Sequence, residues 1–205
     1  ADLRPAFVLV LNKYVTDMLR DLGGLAAEFY SANKVQFKRV KSQKWRQQYE
    51  FFIVSETTPK AAIHAVISDI ESVILSQLKS QPSIFHELLR GEDFHLDAVR
   101  VFTSLIIVPE DAPEEELIEQ NYHQDNIGDS GFNLIIPLDR LFSLDLITAG
   151  LLYSEHVELG EALAFGTAIH RGTTTRCPRL HMHFACKPRG CGEGYIHTKT
   201  YEVSE

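Results

Sequence analysis

From about Pro5 to Leu22 the apolar residues Phe7, Leu11, Val15, Met18 and Leu22 recur at steps of three and four, the period of one helical face. Gly23-Gly24 is expected to interrupt this segment, with Leu25 to Asn33 resuming it. A second stripe runs through Ile63, Val66, Ile67, Ile70, Ile74 and Leu78. It follows Thr58-Pro59, a capping residue with Pro at the first helical position. Tyr49 to Val54 predicts a short strand, and Pro82 to Leu89 one more short helix.

From Val99 onward the period shortens to two. Val99 to Thr103 alternates, and Leu105 to Val108 is an apolar, β-branched run. Phe132 to Leu138, Thr148 to Tyr153, Glu161 to Ala168 and Arg179 to Cys186 also read as strands, separated by Gly, Pro or acidic turns. Glu110 to Glu119 carries six carboxylates and predicts an exposed connection. Helices followed by five or six short strands predict an α+β domain whose β part closes into a sandwich or barrel. The chain is expected to form one domain, with residues 1–94 as a mainly helical layer, 95–187 as the β core and 188–205 as a tail.

Composition narrows the class. The chain has 205 residues, 44% of them hydrophobic and 23% charged, enough for one sizeable core. A net charge of −8 repels a long polyanion on average and disfavours duplex nucleic acid as a partner. The segment from Lys34 to Arg46 runs against that trend. Lys34, Lys38, Arg39, Lys41, Lys44 and Arg46 interleave there with Phe37 and Trp45. It reads as a solvated edge, or as a basic rim that draws in an anionic substrate. Three cysteines, Cys177, Cys186 and Cys191, form neither a disulfide scaffold nor the tight knuckles of structural zinc. No apolar run is long enough for a membrane span, and the five-residue run Phe7 to Leu11 lacks the surroundings of a signal peptide. An intracellular setting, cytoplasm or nucleus, is expected.

The candidate chemistry starts at Asn121-Tyr122-His123-Gln124-Asp125. On an extended strand, residues two apart share a face, so His123 and Asp125 project together. The competing reading is a turn pair bonded to its own backbone. A third ligand is expected from the stretch Gly160 to His170, where a strand ends at a small-residue bend and a His follows. Two His and one carboxylate on one face of a divalent metal leave the opposite positions open, the arrangement of non-haem iron(II) oxygenases. Nine residues on, Arg179-Leu180-His181-Met182-His183-Phe184 alternates between a polar and an apolar row. An Arg in such a strand needs a partner, and a dicarboxylate forming a two-pronged ion pair would supply one. The bland alternative is a surface charge at a strand start. His64, His86, His95, His183 and His197 read as structural or surface residues, and His156 as part of a turn.

Together these segments resemble the iron(II)- and 2-oxoglutarate-dependent dioxygenases of the double-stranded β-helix (jelly-roll) superfamily. Four stretches carry the likeness. Glu119 to Asp125 is similar to the phytanoyl-CoA dioxygenase-like version of the His-x-Asp motif, and Phe132 to Leu138 to the strand that follows it. Gly160 to His170 leads to the distal His, and Arg179 stands at the usual offset beyond. The resemblance covers roughly residues 95–187. It implies that His123, Asp125 and His170 bind iron(II), that Arg179 binds the C5 carboxylate of 2-oxoglutarate, and that O2 is the oxidant. Arg176 is the fallback clamp. His181 occupies a place where relatives often carry a hydroxyl, and Asn133 is a candidate partner for the co-substrate. The implied reaction hydroxylates an organic substrate, a small molecule or a side chain, with release of succinate and carbon dioxide. The alternatives are the same chemistry on a modified nucleobase in nucleic acid, a non-enzymatic cupin-like metal-binding module, and a β domain without metal.

Overall fold

The computed structural model describes residues 6–40, 44–51, 62–88, 99–117, 119–126, 131–148, 150–166, 168–173, 175–185 and 197–200. Strand β1 (Ala6–Val10) leads into helix α1 (Lys13–Asn33), and β2 (Lys38–Arg39) and β3 (Gln47–Glu50) precede helices α2 (Ala62–Lys79) and α3 (Pro82–Leu88). The β region holds β4 (Arg100–Ile107), β5 (His123–Asn126), β6 (Gly131–Pro137), β7 (Phe142–Thr148) and β8 (Leu151–Val157). It continues with β9 (Glu161–Phe165), β10 (Ile169–Gly172), β11 (Arg179–Ala185) and β12 (His197–Thr200). Two sheets result, ordered β1-β9-β6-β11-β4-β3-β2 and β12-β5-β10-β7-β8. The expectation of an α+β protein with a jelly-roll core and helices packed on it holds.

Alternation along the strands sorts the side chains into two cores. Leu180, Met182 and Phe184 of β11 are fully buried and join a cluster with Leu105, Leu134, Val15, Leu19, Ile70 and Ile74. This cluster lies between the helices and the outer face of the seven-stranded sheet. Phe132 and Phe184, opposite each other in register, stack there at 4.7 Å. The predicted stripe of α2 is buried at Ile63, Ile67, Ile70, Ile74 and Leu78. The second cluster fills the space between the sheets with Ile135, Leu163 and Phe165 from one side and Phe142, Leu144 and Leu146 from the other. The polar row of β11 shares that inter-sheet space, which decides where chemistry can occur.

Several elements differ from the sequence reading. Residues 6–10 are a strand, paired with β9, and α1 begins only at Lys13. Phe7, Leu9 and Leu11 alternate onto the helix-side core. Their spacing also suits a helix, and the ambiguity is resolved by Asn12, which caps α1 with its Oδ1 accepting from Val15 N–H at 2.9 Å. Gly23-Gly24 does not interrupt the helix. Gly23 lets α1 approach Leu138 so closely that a Cβ there would stand 2.4 Å from the Leu138 carbonyl oxygen. Val99–Thr103 and Leu105–Val108 merge into one strand. Thr148 to Tyr153 is not one strand: Thr148 ends β7 and Leu151 to Tyr153 open β8, with Gly150 between them at φ of 77°. His156 lies within β8, bonded through Nδ1 to Ser143 Oγ at 2.7 Å, rather than in a turn. Within the segment expected to be helical, β1, β2 and β3 extend the seven-stranded sheet, and β12 in the expected tail pairs with β5. Thr58-Pro59, His95, Cys186 and Cys191 lie outside the described residues.

Candidate functional site

The four-residue strands β5 and β10 pair so that His170 stands directly opposite His123. Opposed residues of an antiparallel pair share a face. Leu146, opposite His170 on β7, belongs to the inter-sheet core, so that face is the inner one. Both imidazoles are buried, with ring centroids 4.3 Å apart. His123 Nδ1 donates to the Asn121 carbonyl at 2.9 Å, and His170 Nδ1 to the Ala168 carbonyl at 3.0 Å. A carbonyl can only accept, so both rings carry a proton on Nδ1, which in the neutral imidazole makes Nε2 the ligating nitrogen. This is the tautomer and the backbone anchoring that a metal-ligating His requires. Asp125 stands two residues along β5, opposite Thr198. Among the described residues no group of three His, Cys, Asp or Glu side chains is assembled as a metal site.

Residues alternating with these two His build a different surface. Arg171 donates from Nε to Asp145 at 2.8 Å and pairs with Glu119 at 2.8 Å, while its guanidinium lies 4.5 Å over the Tyr122 ring. Ser154 Oγ adds a 2.7 Å bond to Asp145. This network ties the segment before β5 to β10 and β7, and so holds the two opposed His strands in register.

Across the gap, Arg179 occupies the inner row of β11 and is 3% exposed. Its guanidinium lies 4.7 Å over the Phe142 ring, with one long bond of 3.4 Å from Nη1 to the Cys177 carbonyl. No carboxylate of the described residues pairs with it. Burial, and then the charge of Arg46, hold its pKa well below the ordinary value. Arg176 is committed elsewhere. It donates to the carbonyls of Ala112 at 2.5 Å and Pro109 at 3.3 Å, pinning the acidic connection. Asn133, opposite His183, is fully buried, and neither end of its amide has a hydrogen-bond partner. An amide so placed is costly unless something polar enters beside it. His181 follows in the same row, opposite Ser104, with its ring 4.3 Å from that of His183. Cys177 is a buried free thiol whose burial raises its pKa, and Sγ donates to the Arg140 carbonyl at 3.2 Å. It makes no zinc cluster among the described residues.

The sequence reading missed the Arg171–Asp145–Glu119 network and the burial of Arg46. Asp145 sits in an unremarkable run, but an Asp inside the apolar pattern Phe142 to Ile147 was a usable signal. Arg46 was read with its cationic neighbours as solvated or rim-forming. Of those neighbours, Lys38 pairs with Glu50 and Lys44 with Glu116 on the surface, whereas Arg46 turns inward at 3% exposure.

No protein-family model and no curated protein sequence matches the chain. Solved structures do. A Pseudomonas putida prolyl-4-hydroxylase superposes with a TM-score of 0.52 at 14% identity, covering 91% of this chain and 94% of that one. JOX2, solved with 2OG, Fe and JA, gives 0.53 at 14% identity over 90% of this chain and 68% of its own. A full-length Neurospora crassa protein solved in complex with alpha-KG gives 0.54 at 10% identity, with coverages of 90% and 76%. The chain has their fold. At such identities the likeness establishes the architecture, which is the double-stranded β-helix of these oxygenases, and the residues must argue the rest.

Proposed function

We propose that the chain is an iron(II)- and 2-oxoglutarate-dependent dioxygenase that hydroxylates an organic substrate. The observation that carries this reading is the pair His123 and His170, held side by side by backbone carbonyls on one sheet, opposite a buried Arg179 with no carboxylate partner among the described residues. The fold it shares with JOX2 and the Neurospora crassa protein, solved with 2OG or alpha-KG, supports it.

His123, His170 and Asp125 are assigned as metal ligands, Asp125 because strand alternation returns position 125 to the face of position 123. Bound iron supplies the O2 chemistry that splits the 2-oxo acid and oxidises substrate. The protein's residues do the positioning. Asn121 and Ala168 carbonyls fix both imidazoles in the ligating tautomer. Arg179 holds the far carboxylate of the diacid in a site walled by Phe142, where a charge-assisted pair is strong because water is excluded. Asn133 offers an amide donor and acceptor within the same dry space. His181 is placed in the inner row beside the clamp. The apolar wall of Ile135, Leu144 and Phe165 keeps bulk water from the reacting centre.

A small molecule or an amino-acid side chain is the proposed substrate class. Lys38 and Lys44 of the basic segment are paired with carboxylates, and the net charge of −8 opposes a polyanion. Lysines so paired contribute little to the cationic groove a nucleobase-directed enzyme needs. The Neurospora crassa protein, solved also with 5-formyluracil, shows that the fold accommodates such a ligand.

Succinate release from 2-oxoglutarate is the test, run with protein purified without oxygen and reconstituted with iron(II). Slow turnover is expected even without substrate, abolished by His170→Ala and strongly reduced by Arg179→Gln. A metal-loaded protein that neither binds nor decarboxylates 2-oxoglutarate refutes the assignment. If metal binds but Arg179→Gln changes nothing, a cupin-like module is the correct reading.

A further inference from the structure

Arg46 lies just before β3, beside the edge strand β2 of the seven-stranded sheet. β3 pairs with β4, and β4 with β11, placing Gln48, Ile106 and Arg179 in one row across the sheet. Two residues before Gln48, Arg46 enters the same inter-sheet space one step further along. Its Nη2 donates to the Thr173 carbonyl at 3.1 Å, while Nε and Nη1 are buried without a partner. Gly172, two residues beyond His170 on β10, leaves the room it occupies: a Cβ there would stand 3.3 Å from Nη1. Among the described residues no carboxylate pairs with it.

Resting on the oxygenase reading above, we propose that Arg46 is the second arm of a two-guanidinium clamp on the distal carboxylate of the 2-oxo diacid. Two buried cations in one inter-sheet space repel each other, and Arg46 keeps two donors that the fold leaves unused. A single carboxylate has two oxygens and about four lone-pair sites, enough for both guanidinium groups. Burial pushes Arg46 down to about 10, and the Arg46 charge adds to the burial that depresses Arg179. A guanidinium keeps its proton in proteins, so the inter-sheet space holds two positive charges until an anion enters. In the same segment Lys38 and Lys44 are spent on surface pairs, whereas Arg46 turns inward.

The test is calorimetric binding to the manganese(II)-loaded protein without turnover, using 2-oxoglutarate and 2-oxovalerate, which carries a methyl where the distal carboxylate would be. Arg46→Gln is expected to weaken 2-oxoglutarate by about 10- to 100-fold, the loss of one charge-assisted bond. It should leave 2-oxovalerate unchanged, and Arg46→Lys should recover part of the loss. Arg46→Gln combined with Arg179→Gln should lose less than the product of the single effects, because both act on one carboxylate. The Tm of the ligand-free Arg46→Gln protein is expected to equal or exceed that of the wild type, since a repulsive buried charge is removed. Equal weakening of both acids, a falling Tm, or wild-type affinity for 2-oxoglutarate in Arg46→Gln overturns the clamp while leaving the oxygenase reading intact. A wild-type protein that binds no 2-oxoglutarate removes both.

Discussion

Two adjacent glycines in α1 should respond to the same substitution with opposite sign. Gly24 is exposed, and a Cβ added there would meet nothing within 4 Å, so Gly24→Ala meets only the intrinsic helix preference for Ala. That is worth about 0.5–1 kcal/mol of stabilisation. Gly23→Ala gains the same preference but drives a methyl to 2.4 Å from the Leu138 carbonyl oxygen and 3.2 Å from its Cβ. Contacts under 3.0 Å do not persist, and the obstacle is backbone, which cannot swing aside. Leu138 is itself 1% exposed, and its N–H donates to the Pro178 carbonyl at 2.9 Å, next to Arg179. Opening such a contact in a packed interior costs about 1–3 kcal/mol, and the backbone obstacle points to the upper end. After the propensity gain, a net loss of about 2 kcal/mol is expected. For a chain of this size each kcal/mol moves Tm by about 2–4 °C. Thermal unfolding of the three proteins side by side should therefore show Gly24→Ala slightly above wild type and Gly23→Ala about 4–8 °C below it. The displacement should also reach Arg179 through Pro178 and weaken 2-oxoglutarate binding. A Gly23→Ala protein as stable as wild type, or both variants shifting the same way, would refute the close-approach account of Gly23.

Glu71 accepts a hydrogen bond from Thr103 Oγ1 in a half-buried position, and burial raises its pKa above 4.5 while that bond partly offsets the rise. A raised carboxyl binds its proton more tightly folded than unfolded, so its stabilising share is full below pH 4.5 and lost as pH climbs through the folded value. Glu71→Gln keeps the acceptor without the charge, and should raise Tm at pH 7 with the advantage closing toward pH 4; an advantage that persists at low pH contradicts this. Manganese(II) at about 100 times its Kd should raise the wild-type Tm by roughly 5–10 °C, from about 2.7 kcal/mol of linkage. His170→Ala should abolish that shift, and an undiminished shift would place the metal elsewhere. Removing Asp145 by Asp145→Ala leaves Arg171 with Glu119 alone and should loosen β10 against β7, lowering metal affinity several-fold in the same titration; unchanged affinity would mean the network plays no part in holding His170.

The chain's own pattern determined the α+β class and the β core beyond Val99. It also determined the candidates His123, His170 and Arg179, because strand alternation is a local property written in every second residue. The buried stripe of α2 was legible for the same reason at helical period. What needed the tertiary structure was every choice that local pattern leaves degenerate. Residues 6–10 suit either period until β9 offers them backbone partners, and Gly23-Gly24 breaks or continues a helix depending on whether a neighbour must approach. The opposition of His123 and His170 joins residues on strands far apart in the chain, and only the pairing of β5 with β10 sets it. Arg46 shows the limit most plainly: among six cations in thirteen residues, nothing local distinguishes the one that turns inward. Its burial follows from the space at Gly172 and the Thr173 carbonyl, more than a hundred residues away.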